Sequence, residues 1–391
     1  MRVKPLLAAL VCALSATLLA APAGAAADDP VRPCRDAPQR PVTTGAVLND
    51  PAGGDPTAVV RQVCNLVKQA PEGSRIRIAH FVISGEAGMD FANELIGAHR
   101  RGVDVQVVLD GWQADNPAVD ALRAEIGTRE DERSWLHVCT RSSPEGNTAA
   151  CIGTKGQHNK FYLFSKTGGK RDVVLQSSAN FTDVNSRTYW NNAVTFTGNP
   201  ALYRAYDAYF EDLAAERASD DYYRTATTVM PGGIVKASFF PRAEGDPVVE
   251  NLARVGCLTP TTVRIGMSEW DDYRIAIARR LVELAARGCA IRIVHGPIGD
   301  EVREVLSGHP RIAMRELGDA NALPGRIHSK FVLVEGQYGL NPYARQVFTG
   351  SPNFNHTSLR RNDEAMIQTD LGGVYTEFRR SFEGMFSAAA R

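Results

Sequence analysis

The sequence has no excess of basic residues: 44 Lys and Arg stand against 44 Asp and Glu. A protein that grips nucleic acid mainly through phosphates usually shows such an excess, so its absence weighs against nucleic acid as the main substrate. Beyond the N-terminal segment, no apolar run reaches the roughly 20 residues that a membrane-spanning helix needs. No C-x-x-C pair or His/Cys cluster is present, so the usual spacing of a zinc site is missing.

What is present begins at the N-terminus. Arg2 and Lys4 precede an apolar stretch over residues 5–20. Small residues then offer A-x-A sites at Ala23-Gly24-Ala25 and Ala25-Ala26-Ala27. This is the layout of a secretory signal peptide, assigned to residues 1–27, and it predicts a secreted, extracellular protein. Cys12 leaves with that segment. Cys34, Cys64, Cys139, Cys151, Cys257 and Cys289 remain. An even count in an exported chain predicts disulfides. Many pairings are open; pairing in sequence order (34–64, 139–151, 257–289) is the expectation.

The rest of the chain repeats itself. Gly54-Asp55-Pro56 and Gly245-Asp246-Pro247 each precede an apolar-periodic segment. In each, the Asp is expected to cap a helix whose first turn takes the Pro. Strands then follow at Arg75 and Thr262. A helix in each half stops at Gly102 or Gly288, ahead of buried strands over 105–109 and 291–294. Strand, helix, strand at this spacing is a βαβ unit. Each half closes on an aromatic helix (Tyr203, Tyr206, Tyr209, Phe210; Tyr375, Phe378, Phe382, Phe386), whose spacing reads as core. Two lobes are expected, over 28–230 and 231–391, with the boundary near Met230-Pro231. The first half carries an insert from Gly111 to about Gln157, expected to form a rim held by Cys139 and Cys151.

Matching places in the two halves hold HNKFYLFS (158–165) and IHSKFVLVEG (327–336). Side chains alternate along a strand, so His158 shares a face with Lys160, and His328 with Lys330. Ser178-Ala-Asn180-Phe181 and Ser351-Pro-Asn353-Phe354 follow. This pattern resembles the phospholipase D superfamily, whose motif is H-x-K-x4-D followed by a Gly/Ser-rich turn with Asn, and the resemblance covers essentially the whole mature chain.

The resemblance implies an α/β fold of two duplicated lobes. Each is a mixed sheet flanked by helices, and the two pack with pseudo-two-fold symmetry around one active site. It implies a phosphodiesterase that works as a monomer, with no metal or other cofactor required. His158, Lys160, His328, Lys330, Asn180 and Asn353 would be catalytic, with Ser178 and Ser351 as substrate-binding candidates. One imidazole attacks phosphorus, and the other protonates the leaving alcohol and then activates water. The lysines and asparagines stabilise the phosphoryl oxygens. The N-terminal His is the family's usual nucleophile, hence His158, with His328 as the acid.

The chain departs from the family pattern at the acidic motif position, which is Ser165 in one half and Glu335 in the other. Glu364 matches the family's His-orienting acid, and Asn192 aligns with it in the first half; on this reading His328 is the better-supported imidazole. His80, His99, His137, His295, His309 and His356 lie outside any motif and read as structural or solvated. The leading expectation is a phospholipase D acting on phospholipid at a membrane or vesicle surface, releasing phosphatidate and a head-group alcohol or transferring the phosphatidyl group. The alternatives are a secreted nuclease acting on nucleic acid, or a non-catalytic binding protein.

Overall fold

Two mixed sheets organise the chain. The structure, a computed structural model, describes residues 32–113 and 116–389. The signal-peptide reading over 1–27 lies outside them. The first sheet draws on β1 (Gly45–Leu48), β2 (Arg75–His80), β3 (Asp104–Leu109) and β4 (Trp135–Val138). Short strands β5 (Arg141–Ser142) and β6 (Ala149–Ala150) pair with each other inside the insert. Then come β7 (Lys160–Thr167), β8 (Lys170–Ser177), the short β9 (Tyr189–Trp190) and β10 (Asn192–Phe196). The sheet order is β1-β10-β8-β7-β2-β3-β4.

The second sheet uses β11 (Arg224–Met230), β12 (Gly233–Phe240), β13 (Thr262–Met267), β14 (Ala290–His295) and β15 (Ile312–Glu316). After the short β16 (Arg326–Ile327) it adds β17 (Lys330–Tyr338), β18 (Asn341–Gly350) and β19 (Glu364–Thr369). Its order is β11-β12-β19-β18-β17-β13-β14-β15. Apart from β11, the two orders correspond strand for strand, so the repeat in the sequence is a repeat in space. In both, the βαβ strands run parallel and the hairpin carrying the His-x-Lys motif is antiparallel. The Met230-Pro231 segment is the turn of the β11–β12 hairpin, so the second sheet begins at Arg224.

Burial explains the layers. Helices Ala58–Lys68, Gly85–Arg100 and Pro117–Ile126 cover the outer face of the first sheet. Pro247–Leu252 and Ile275–Ala286 cover that of the second. The aromatic helices Pro200–Ala214 and Gly372–Ala388 fill a core shared by both sheets, with Tyr206, Phe210, Phe378 and Phe382 inaccessible to solvent. Gly102 and Gly288 end their helices with φ of +84° and +107°, a region open to glycine at little cost.

Asp246 caps its helix as expected, accepting from the backbone N–H of Val248 at 2.9 Å, with Pro247 in the first turn. Asp55 does not. The first helix starts at Ala58, and Asp55 accepts instead from the N–H and hydroxyl of Thr57, at 2.8 and 2.7 Å. That local turn competes with the cap.

All three disulfides join the cysteines in sequence order. Among the described residues, the two His/Cys/acid clusters with metal-like spacing each include Cys151, which is bonded to Cys139. Among the described residues, no helix is long and apolar enough to cross a membrane.

Candidate active site

The two His-x-Lys segments enter β7 and β17 where the sheets meet, and each is held by the opposite half of the chain. The backbone N–H of His158 donates to the carbonyl of Asp363 at 3.0 Å. That of His328 donates to the carbonyl of Trp190 at 2.9 Å. The side chains follow the same exchange. His158 Nδ1 lies 2.9 Å from both oxygens of the buried Glu364 carboxylate. His328 Nδ1 lies 2.9 Å from Asn191 Oδ1. An ionised carboxylate only accepts, so Nδ1 of His158 carries the proton and Nε2 the lone pair.

Two expectations are corrected here. Glu364 supports His158 and not His328, because the halves exchange their orienting groups across the pseudo-two-fold axis. The counterpart of Glu364 is Asn191 and not Asn192. Ser178 accepts from the N–H of Asn192 as Ser351 does from that of Ala365, so Asn192 matches Ala365. Asn192 instead donates to Thr349 at 2.8 Å. Counting forward from the two serines would have found Asn191: it follows Ser178 by 13 residues, the same separation as Ser351 to Glu364.

The amide of Asn191 has a fixed orientation. Its Nδ2 donates to Asn185 Oδ1 at 2.9 Å, which leaves Oδ1 to accept from His328 and from the Ser178 hydroxyl. Ser178 and Ser351 are both fully buried. Their hydroxyls are spent on Asn191 and on the backbone of β10 and β19, so they hold the orienting groups in place. Asn180 and Asn353 occupy equivalent turns, and each keeps a buried Oδ1 without a partner among the described residues.

Lys160 and Lys330 are buried at the base of the site. The ammonium of Lys160 donates to the His158 carbonyl at 2.7 Å and lies 4.8 Å from the Phe81 ring centre. That of Lys330 stands 3.2 Å from both ring nitrogens of His328. Burial pushes Lys160 down to about 7, against the pull of Glu364 and Asp110. Burial likewise holds His158 down at about 4, with Glu364 opposing it. His328 sits well below its ordinary value through burial and the fields of Lys330 and Lys160. Burial works to raise Glu364, but His158 and Lys160 outweigh it and keep the carboxyl low. Burial and the field of Lys160 also hold Lys330 well below its ordinary value, so the site sets neutral imidazoles beside two lysines whose charge burial opposes.

Several contributors had no motif. Phe81 packs edge-on against His158 at 4.8 Å, and Trp112, 58% exposed, packs against Phe81 at 5.8 Å. Trp112 opens the insert after Gly111, which contains the helix Pro117–Ile126 and three strands. The insert is tied to the site by Asp363, which accepts from the backbone N–H groups of Cys151, Ile152 and Gly153 at 2.6 to 3.2 Å. Asp363→Ala is expected to cost about 3 kcal/mol or more, because it orphans three buried donors. A fall in the urea midpoint at constant slope would show it.

The acidic motif positions lie at the far ends of their strands. Ser165 accepts from the N–H of Arg75, and Glu335 meets Arg264 and Tyr375. The missing acid at Ser165 is therefore a difference in strand support, remote from the imidazoles. His80 is buried among Phe91, Tyr162 and Phe181, and His295 bonds the Gly296 carbonyl at 2.7 Å.

The sequence family described as cardiolipin synthase, PLD-like domain, matches residues 63–214 and again 259–386. The chain belongs to the phospholipase D superfamily. Both matched spans contain one His-x-Lys motif, and membership supports an enzyme of phosphodiester chemistry. A search of curated proteins finds no match. Phosphatidylserine synthase from Haemophilus influenzae Rd KW20 is similar over 88% of this chain and 86% of its own, with a TM-score of 0.62 at 13% identity. Polyphosphate kinase from Porphyromonas gingivalis is similar over 87% of this chain and 50% of its own, with a TM-score of 0.56 at 15% identity. At such identities these likenesses show the phospholipase D-like fold alone.

Proposed function

We propose that this phospholipase D-like protein is a secreted, monomeric phospholipase D, with one His-x-Lys motif from each lobe. The observation that carries the reading is the buried Glu364 carboxylate on Nδ1 of His158, beside two buried lysines. The carboxylate raises the basicity of the ring and stabilises the positive charge that forms on it. Nε2 of His158 attacks phosphorus, the bond from phosphorus to the head-group oxygen breaks, and His328 gives its proton to that oxygen. His328 then takes a proton from water, the oxygen of that water attacks phosphorus, and the P–N bond breaks to release phosphatidate. Lys160, Lys330, Asn180 and Asn353 hold the phosphoryl oxygens. The incoming anion opposes the field of the lysines and so lifts His328 toward its protonated form.

Lipid is favoured by the zero formal charge and by the Trp112–Phe81 pair beside His158, since an amphipathic ring suits a membrane interface. The test is turnover of mixed phospholipid vesicles, followed as phosphatidate, in parallel with plasmid and single-stranded DNA. Phosphatidate formation supports the reading. DNA cleavage alone replaces it with the nuclease, and silence on both supports the binding protein.

The pH profile is a second check. His158 must keep its lone pair, so kcat/KM should fall as pH drops toward the value of about 4 that burial gives the ring. Lys160 must keep its charge, so kcat/KM should also fall as pH rises past about 7. The expected optimum is weakly acidic. A profile that rises steadily to pH 9 contradicts this assignment of Lys160.

A further inference from the structure

The pseudo-two-fold symmetry is broken beside His328, and the break is cationic. Arg326 lies two residues before His328, with the buried Ile327 between them, so Arg326 and His328 share a strand face. Register pairs Arg326 with Tyr189, and the guanidinium lies over that ring at 5.8 Å. Tyr189 itself packs on His328 at 5.6 Å. Nε of Arg326 is buried without a hydrogen-bond partner among the described residues. The charge of Arg326 is felt by both His328 and Lys330.

The other half has no such group. The equivalent of Arg326 is Gly156, where an added Cβ would meet Asp110 Oδ2 at 3.0 Å. The equivalent of Tyr189 is Asn362, which donates to Glu364 at 3.0 Å. Among the described residues, one side of the site thus carries a carboxylate, with a glycine where the other side has Arg326. The other carries an amide, Asn191, and a guanidinium whose buried Nε has no hydrogen-bond partner among the described residues. A buried donor without a partner costs free energy that a ligand can recover.

The direction of attack makes this asymmetry chemical. With His158 as nucleophile, in-line displacement places the leaving oxygen on the His328 side. Whatever the leaving alcohol carries is therefore presented to Arg326. Glu269 approaches from the Lys330 side, but its Oε2 already accepts from the amides of Asn353 and Asn355, at 3.4 and 3.1 Å.

We propose that Arg326 binds a second anionic group, carried on the leaving head group, so that the preferred substrates are phospholipids with an anionic head group. This rests on the phospholipase D reading and names the substrate class for it. A carboxylate or a phosphate would satisfy the guanidinium by charge-assisted hydrogen bonds.

Phosphatidylserine and phosphatidylethanolamine differ by one head-group carboxylate, so their kcat/KM ratio in the same mixed micelles isolates the contact. Phosphatidylglycerol phosphate supplies the phosphate version. Wild-type protein is expected to favour both anionic lipids over phosphatidylethanolamine by about tenfold or more. Arg326→Met should bring that ratio close to one, and Arg326→Lys should keep part of it. A measurement without variants guards against misfolding: phosphoserine should inhibit the wild-type protein more strongly than phosphoethanolamine. A wild-type ratio near one, a ratio unchanged in Arg326→Met, or equal inhibition by the two phosphomonoesters overturns the inference. No phosphatidate from any lipid instead sinks the phospholipase D reading beneath it.

Discussion

Replacing His158 with Ala is expected to remove turnover by a factor of about 10⁴ or more, with no covalent intermediate left to trap. The informative comparison is His328→Ala on a p-nitrophenyl phosphodiester. That leaving group needs no proton, so attack by His158 proceeds without an acid. The His328→Ala protein should release a burst of p-nitrophenolate close to one equivalent and then stall, because no base activates water. The phosphorylated imidazole should then accumulate and survive an alkaline quench. His158→Ala should give no burst on any substrate. The reverse pattern, a burst in His158→Ala and none in His328→Ala, would make His328 the nucleophile and Glu364 the support of the acid.

The second large effect is expected at Glu364. Glu364→Gln keeps the shape and an acceptor for the Nδ1 proton, 2.9 Å away in the native protein, but loses the negative charge. An amide holds the tautomer without stabilising an imidazole that turns positive on attack. A loss of kcat by about 10³-fold to 10⁴-fold is expected, with little change in KM. The chain carries the matching control, since Asn191 already gives His328 amide support alone. Asn191→Asp should raise the pKa of His328 and move the pH profile, while changing the rate less than Glu364→Gln does. Glu364→Gln at near-native kcat would remove the carboxylate from the mechanism.

Much of this site was legible in the chain because its parts are local. A His and a Lys two residues apart on a strand share a face in whatever fold contains them. Two such pairs, each followed by a Ser-x-Asn-Phe turn inside a repeat, bring both motifs to corresponding ends of interior strands in two sheets. The glycine stops at 102 and 288, the aromatic helices and the ordering of the six cysteines were readable for the same reason. They depend on backbone conformation, helical period and chain separation.

What the sequence alone did not determine is which half serves which. Glu364 lies 36 residues after His328 and 206 after His158, yet it bonds His158. That follows from the way the sheets meet, with each His-x-Lys segment hydrogen-bonded to the far half, and no local pattern encodes it. The choice between Asn191 and Asn192 turned on one residue of register, and such a shift moves a strand side chain to the opposite face. Phe81 and Trp112 have no spacing signature, because each reaches the site from a different strand end or loop. The repeat determined that there are two imidazoles and two lysines. Only the packing of the sheets decided that one imidazole rests on a carboxylate and the other on an amide beside an arginine, because a side chain's charge environment is set by neighbours in space.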